Sequence, residues 1–125
     1  MKIIITISGN TLESPFDARF GRAASFCIVD PETRQWEVFD NPALSASGGA
    51  GVQAAQFAAN KGVKAVISGA FGPNAFNTLK AAGIKMYLAP ANQNNSGQDI
   101  LNLFSEGELA QAEQATHAGH HGGNR

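Results

Sequence analysis

With a single cysteine, Cys27, the 125-residue chain has no internal disulfide and no CxxC or four-ligand zinc site. Charge is scarce too. Asp, Glu, Lys and Arg make up 15% of the residues and the formal net charge is -1, too balanced for the basic footprint of a nucleic-acid binder. No apolar run approaches the ~20 residues that a membrane-spanning helix needs. Met1–Ser8 lacks the basic start and small-residue cleavage site of a secretory leader, so the expected compartment is the cytoplasm. Acidic residues are missing altogether between Asp40 and Asp99, where Lys61, Lys64, Lys80 and Lys85 are the only charges. That gap argues against a two-metal hydrolase, which needs several carboxylates around one site, and the expectation is a protein that is not an enzyme.

What is present is apolar: 43% hydrophobic residues, enough for one core in one domain. Lys2–Ser8 is short and rich in β-branched residues, which predicts a buried strand. Ser25–Asp30 and Arg34–Asp40 read as two more, joined through Pro31-Glu32-Thr33 as an antiparallel hairpin. A helix is predicted from Ala50 to Lys61, stopped by Gly62. Its Val52, Ala55, Phe57, Ala58 and Ala59 would leave it apolar around much of its surface. A strand over Lys64–Ser68 follows. Pro73 opens a second helix that runs to Ala82 and ends at Gly83. Ile84–Ala89 reads as the last strand, and Ser96-Gly97-Gln98-Asp99 resembles a capping box opening a third helix.

The order β-β-β-α-β-α-β-α with two right-handed crossovers predicts an α/β fold: a five-stranded mixed sheet with helices on both faces. The domain is expected to span residues 1–107. Residues 108–125 read as a short helix fraying into a flexible His-bearing tail.

Tight connections at Pro31–Thr33, Gly62–Val63 and Gly83 would fall at one end of the sheet. The long ones, Gly9–Ala24, Asn41–Gly49, Gly69–Gly72 and Pro90–Asn95, would gather at the other, where open α/β sheets place ligands. Gly48, Gly49 and Gly51 surround the start of the first helix, and Gly72, Pro73 and Asn74 the start of the second. Helix N-termini offer unpaired N–H groups to an anion. Arg19 and Arg22 are the only basic side chains in the loops of that end, and guanidinium forks suit polyanionic ligands. An ion pair between Arg19 and Asp17, with Phe20 plugging the core, is the plainer alternative. Gly49 to Ala54 also matches GxGxxA, yet no acidic residue lies ~20 positions on to take a ribose. Cys27 reads as a buried, inert thiol. His117, His120 and His121 are spaced to take up a metal ion from one side of a helix.

The segments FDARFGRAASF (16–26), NPALSASGGAGVQAAQ (41–56) and VISGAFGPNAFNTLKAAGI (66–84), with the His-bearing tail, resemble the dinitrogenase iron–molybdenum cofactor biosynthesis family of NifX-type proteins and NifB C-terminal parts. The resemblance covers about residues 2 to 107. It implies a ribonuclease-H-like three-layer sandwich and binding of iron–molybdenum cofactor or its precursors. A branch similar in SASGGAG and GPNAF includes small stand-alone proteins and the orange protein, which holds a molybdenum–copper sulfide cluster without covalent attachment. Cofactor-handling members often carry a histidine where this chain has Leu44-Ser45-Ala46-Ser47. With no His or Cys at that end, the expected mode is noncovalent capture of an anionic metal–sulfide cluster by Arg19, Arg22 and backbone N–H groups. Expected partners are that ligand and a cofactor donor or acceptor protein, with no nucleic acid and no membrane. The competing expectation is a small-anion sensor or protein-interaction module without a cluster.

Overall fold

The computed structural model describes residues 1–45, 48–91 and 94–115. Its elements are β1 (Ile3–Ile7), β2 (Ser25–Val29), β3 (Trp36–Asp40), α1 (Ala50–Asn60), β4 (Ala65–Ser68), α2 (Pro73–Ala81), β5 (Lys85–Leu88), α3 (Gly97–Ser105) and β6 (Ala110–Gln111). The sheet order is β3-β2-β1-β4-β5-β6. β1, β4 and β5 run parallel, and β2, β3 and β6 pair antiparallel to their neighbours.

Every residue of β1 and β2 is buried because helices cover both faces. One core lies under α1 and α2, built on Ile4, Phe26, Ile28, Val66 and Met86. The other lies under α3, built on Ile3, Ile5, Ile7, Cys27, Val29 and Ile67. Three layers result. The α1 helix buries only Ala50, Ala54, Ala55 and Ala58, while Ala59 is exposed, so it covers the sheet with one alanine stripe rather than being apolar all round.

Helix ends follow the glycines. Gly62, Gly83 and Gly107 all hold positive φ after their helices, and Ile84 N–H reaches back to Leu79 O at 3.0 Å in a Schellman closure. The β2–β3 loop includes Arg34, which takes φ 66 without being glycine. Asp30 accepts the Glu32 N–H (2.8 Å) in that turn, and this bond holds its carboxyl below the usual range.

The sheet has six strands rather than the expected five. After Gly107 the chain folds back, Ala110–Gln111 pairs with β5, and Ala112 N–H donates to Met86 O at 2.7 Å. The segment beginning at Glu108, expected to be helical, is therefore a strand where it meets the sheet. A two-residue strand is too short to show any period, and only the open edge of β5 makes it worthwhile. No described helix is long and apolar enough to cross a membrane.

Candidate functional site

The parallel strands β1, β4 and β5 end at one rim, and the chain leaves β3 there too. The long connection after β1 crosses that rim from one core to the other. Its Leu12 and Phe16 are buried on the α3 side, Phe20 and Ala23 on the α1/α2 side. Backbone bonds hold the crossing down: Asp17 N–H to Thr6 O and Gly69 N–H to Ala18 O, both 3.0 Å. The Thr6 hydroxyl donates to the Asp17 carbonyl. A Cβ on Gly69 would stand 2.5 Å from the Ala18 Cβ and 2.9 Å from its carbonyl oxygen, so glycine alone lets the loop lie this close.

Aromatic packing sets the next residues. Phe20 stacks on Phe26 of β2 with ring centroids 5.6 Å apart and tilts against Phe71 at 5.4 Å. Phe71 belongs to the turn that opens α2, so one ring cluster fixes that turn relative to the loop. Gly21 and Arg22 follow directly.

Here a hollow of about 280 Å³ opens between Arg22, the α1 start at Gly49 and Gly51, and the α2 start at Gly72 and Asn74. A Cβ on Gly21 would meet the Gly51 Cα at 3.2 Å, and one on Gly51 would meet the Ala75 Cβ at 3.2 Å. Small residues thus bring three segments together. Neither α1 nor α2 has a side-chain cap or an acidic residue in its first turn. By contrast, the α3 start is closed by the expected box: the Ser96 hydroxyl accepts from Asp99 N–H and the Asp99 carboxylate from Ser96 N–H. A helix N-terminus without a side-chain cap presents a positive dipole end and N–H groups with no partner inside the helix, and two such ends border the hollow. Arg22 is exposed, and the ion pairs among the described residues, Met1–Asp30 and Arg19–Asp17, do not involve it. Among the described residues no carboxylate lines the hollow.

Arg19 points elsewhere. Its Nε and Nη2 fork onto Asp17 Oδ1 and Oδ2, both at 3.1 Å, and its own N–H donates to Oδ1 at 3.0 Å. The side-chain hydrogen bond to Asp17 raises the Arg19 pKa above its ordinary value. Arg19 borders a second, larger hollow of about 580 Å³ with Ser8, Phe16 and Ala91. The two arginines expected over one hollow therefore lie over two. Gly48 is exposed and does not line the Arg22 hollow. His117, His120 and His121 lie outside the described residues. Gly21, Ala75 and Asn41 were not singled out by sequence; their parts come from neighbours distant in the chain.

Cys27 is fully buried in β2, and burial pushes its thiol up to about 12. Native protein should resist alkylation at pH 8 and react only on unfolding. The folded pKa lies above that of the unfolded thiol. This contribution is intact below about pH 9 and is lost as pH climbs from there to about 12. Urea midpoints at pH 8 and pH 10.5 should fall more for the wild type than for Cys27→Ala; equal falls would contradict this. Among the described residues no group of three or more His, Cys, Asp or Glu side chains is placed to hold a metal ion.

Residues 1–107 match the family described as dinitrogenase iron-molybdenum cofactor. An uncharacterized protein of Methanocaldococcus jannaschii is 36% identical over 116 residues, covering 90% of this chain and 92% of its own. The apo form of the orange protein from Desulfovibrio gigas superposes with a TM-score of 0.86 at 35% identity, over 93% of this chain and 96% of its own. A candidate NifB protein from Thermotoga, of the DUF35 family, superposes with a TM-score of 0.79 at 35% identity, over 93% and 97%.

Proposed function

We propose that this chain, which belongs to the dinitrogenase iron–molybdenum cofactor family, binds an anionic metal–sulfide cluster noncovalently in the Arg22 hollow and carries it without catalysing a reaction. The observation that supports this reading most is that one hollow is lined by an exposed arginine and by two helix N-termini without side-chain caps, with no carboxylate among its described lining residues. A helix end favours an anion by about 0.3–1 kcal/mol, up to ~2 where water is partly excluded. A charge-assisted hydrogen bond adds about 1.5–3 kcal/mol. Two helix ends and one arginine together attract an anion by a few kcal/mol, while the lack of sulfur, imidazole or carboxylate donors among the described lining residues favours outer contacts over metal ligation.

The likeness to an apo form of the orange protein supports the same cargo class, with molybdenum–copper sulfide or an iron–molybdenum cofactor-like cluster as the occupants. A carrier implies a donor or acceptor protein, which the NifB likeness supports. The proposal takes the fold as ribonuclease-H-like, on the order β3-β2-β1-β4-β5 with β6 appended.

Anaerobic incubation with tetrathiomolybdate and copper, followed by gel filtration, should leave a coloured complex of fixed metal stoichiometry. Molybdate and phosphate at the same concentration should not compete. Metal that elutes wholly apart from the protein would defeat the proposal, and competition by phosphate would favour a small-anion sensor.

A further inference from the structure

The arginine at the hollow is exposed and sits on a loop, so something must hold its backbone in place. Asn41 is placed to do so. It is the first residue after β3, it is only 3% exposed, and its side-chain amide reaches back across the sequence to the loop. Its Nδ2 donates to the Gly21 carbonyl at 3.1 Å and to the Ala23 carbonyl at 2.9 Å, the residues on either side of Arg22. Its backbone N–H donates to Ala24 O at 3.1 Å. Its Oδ1 accepts the Ala43 N–H at 2.8 Å, closing a turn directly after β3. Both amide protons and the amide oxygen are thereby used. A buried primary amide with every group satisfied is rigid, because loosening it would strand buried polar atoms.

We infer that Asn41 is a positioning residue for anion capture: by gripping the carbonyls that flank Arg22, it holds the arginine at the hollow that the two helix N-termini border. This inference rests on the Arg22 hollow being the binding site. Asparagine is required by chemistry, since two carbonyl acceptors need two donors from one short side chain while the Ala43 N–H needs an acceptor. Aspartate keeps the acceptor and loses both donors. Serine and alanine are too short to span the two carbonyls.

The test is a double-mutant cycle read by anaerobic titration with tetrathiomolybdate, using Asn41→Ala, Asn41→Asp and Arg22→Gln alone and combined. Asn41→Asp retains the turn to Ala43 if the alanine variant fails to fold, and its added charge acts in both backgrounds, so the cycle removes it. Asn41→Ala should weaken binding about tenfold where Arg22 is present and less than about twofold where it is glutamine, and Asn41→Asp should show the same several-fold difference between the two backgrounds on top of the loss its charge causes in both. A merely structural role would lower affinity equally in both backgrounds, and that result, or wild-type affinity in both Asn41 variants, overturns the inference. If Arg22→Gln binds as the wild type does, the hollow is not the site, and the parent proposal fails first.

Discussion

Phe20→Ala is expected to destabilise the protein by about 3–5 kcal/mol, the range for emptying a buried phenylalanine site. Phe20 is 2% exposed and touches both Phe26 in the sheet and Phe71 in the turn before α2. Its removal leaves a void against two rings that are held by separate backbone segments, so neither can move in far to fill it. Urea unfolding followed by tryptophan fluorescence, with Trp36 as the reporter, reads the change directly. Phe20→Leu should cost clearly less, because it keeps most of the volume. The larger consequence is local. Phe20 is the last anchored residue before Gly21 and Arg22, so at a temperature where Phe20→Ala remains folded, anion binding should weaken more than global unfolding accounts for. A variant that loses stability but binds tetrathiomolybdate with wild-type affinity would show that the ring cluster packs the core without shaping the hollow.

This coupling also shows which parts of the site were legible in the sequence. Loop length is enough to place the rim that carries the candidate site: short links such as Gly83 force tight reversals, so the long connections start from the opposite rim, where β1, β3, β4 and β5 end. The glycine stops at Gly62 and Gly83, the capping box at Ser96 and the buried character of Cys27 follow from local rules that need no tertiary partner. Phe20 as a plug was readable from its position between two arginines in a loop. The partner of Arg19 was open, since an arginine two residues from Asp17 suits either an ion pair or a ligand. Only the crossing of the rim brings Asp17 under the guanidinium. The role of Asn41 left no local signal, because its two acceptors lie 18 and 20 residues earlier. β6 was hidden for a related reason. Its two residues have no periodicity, and the open edge of β5 recruits them.

Arg22→Glu is expected to abolish cluster retention while leaving the fold intact. The side chain is exposed and takes part in neither ion pair of the described residues, so its loss should change stability by no more than about 0.5 kcal/mol. For a bound anion the change is severe. It removes charge-assisted donors worth about 1.5–3 kcal/mol and sets a carboxylate against the same two helix ends that the ligand needs. Affinity for tetrathiomolybdate should fall by about a hundredfold or more. Arg22→Lys keeps the charge but loses the fork, so it should lie between the wild type and Arg22→Glu. Arg19→Gln is the informative contrast. Its charge is already offset by Asp17 at 3.1 Å, so the site should lose less than about threefold. Raising the salt should weaken the wild type and Arg19→Gln alike and flatten the response of Arg22→Gln, because Arg22 is the charged side chain among the described residues that line the hollow and screening acts on it. Equal losses from the two arginines would mean that the ligand spans both hollows over the crossing loop, and the site would have to be redrawn around Phe16–Arg22 as a whole.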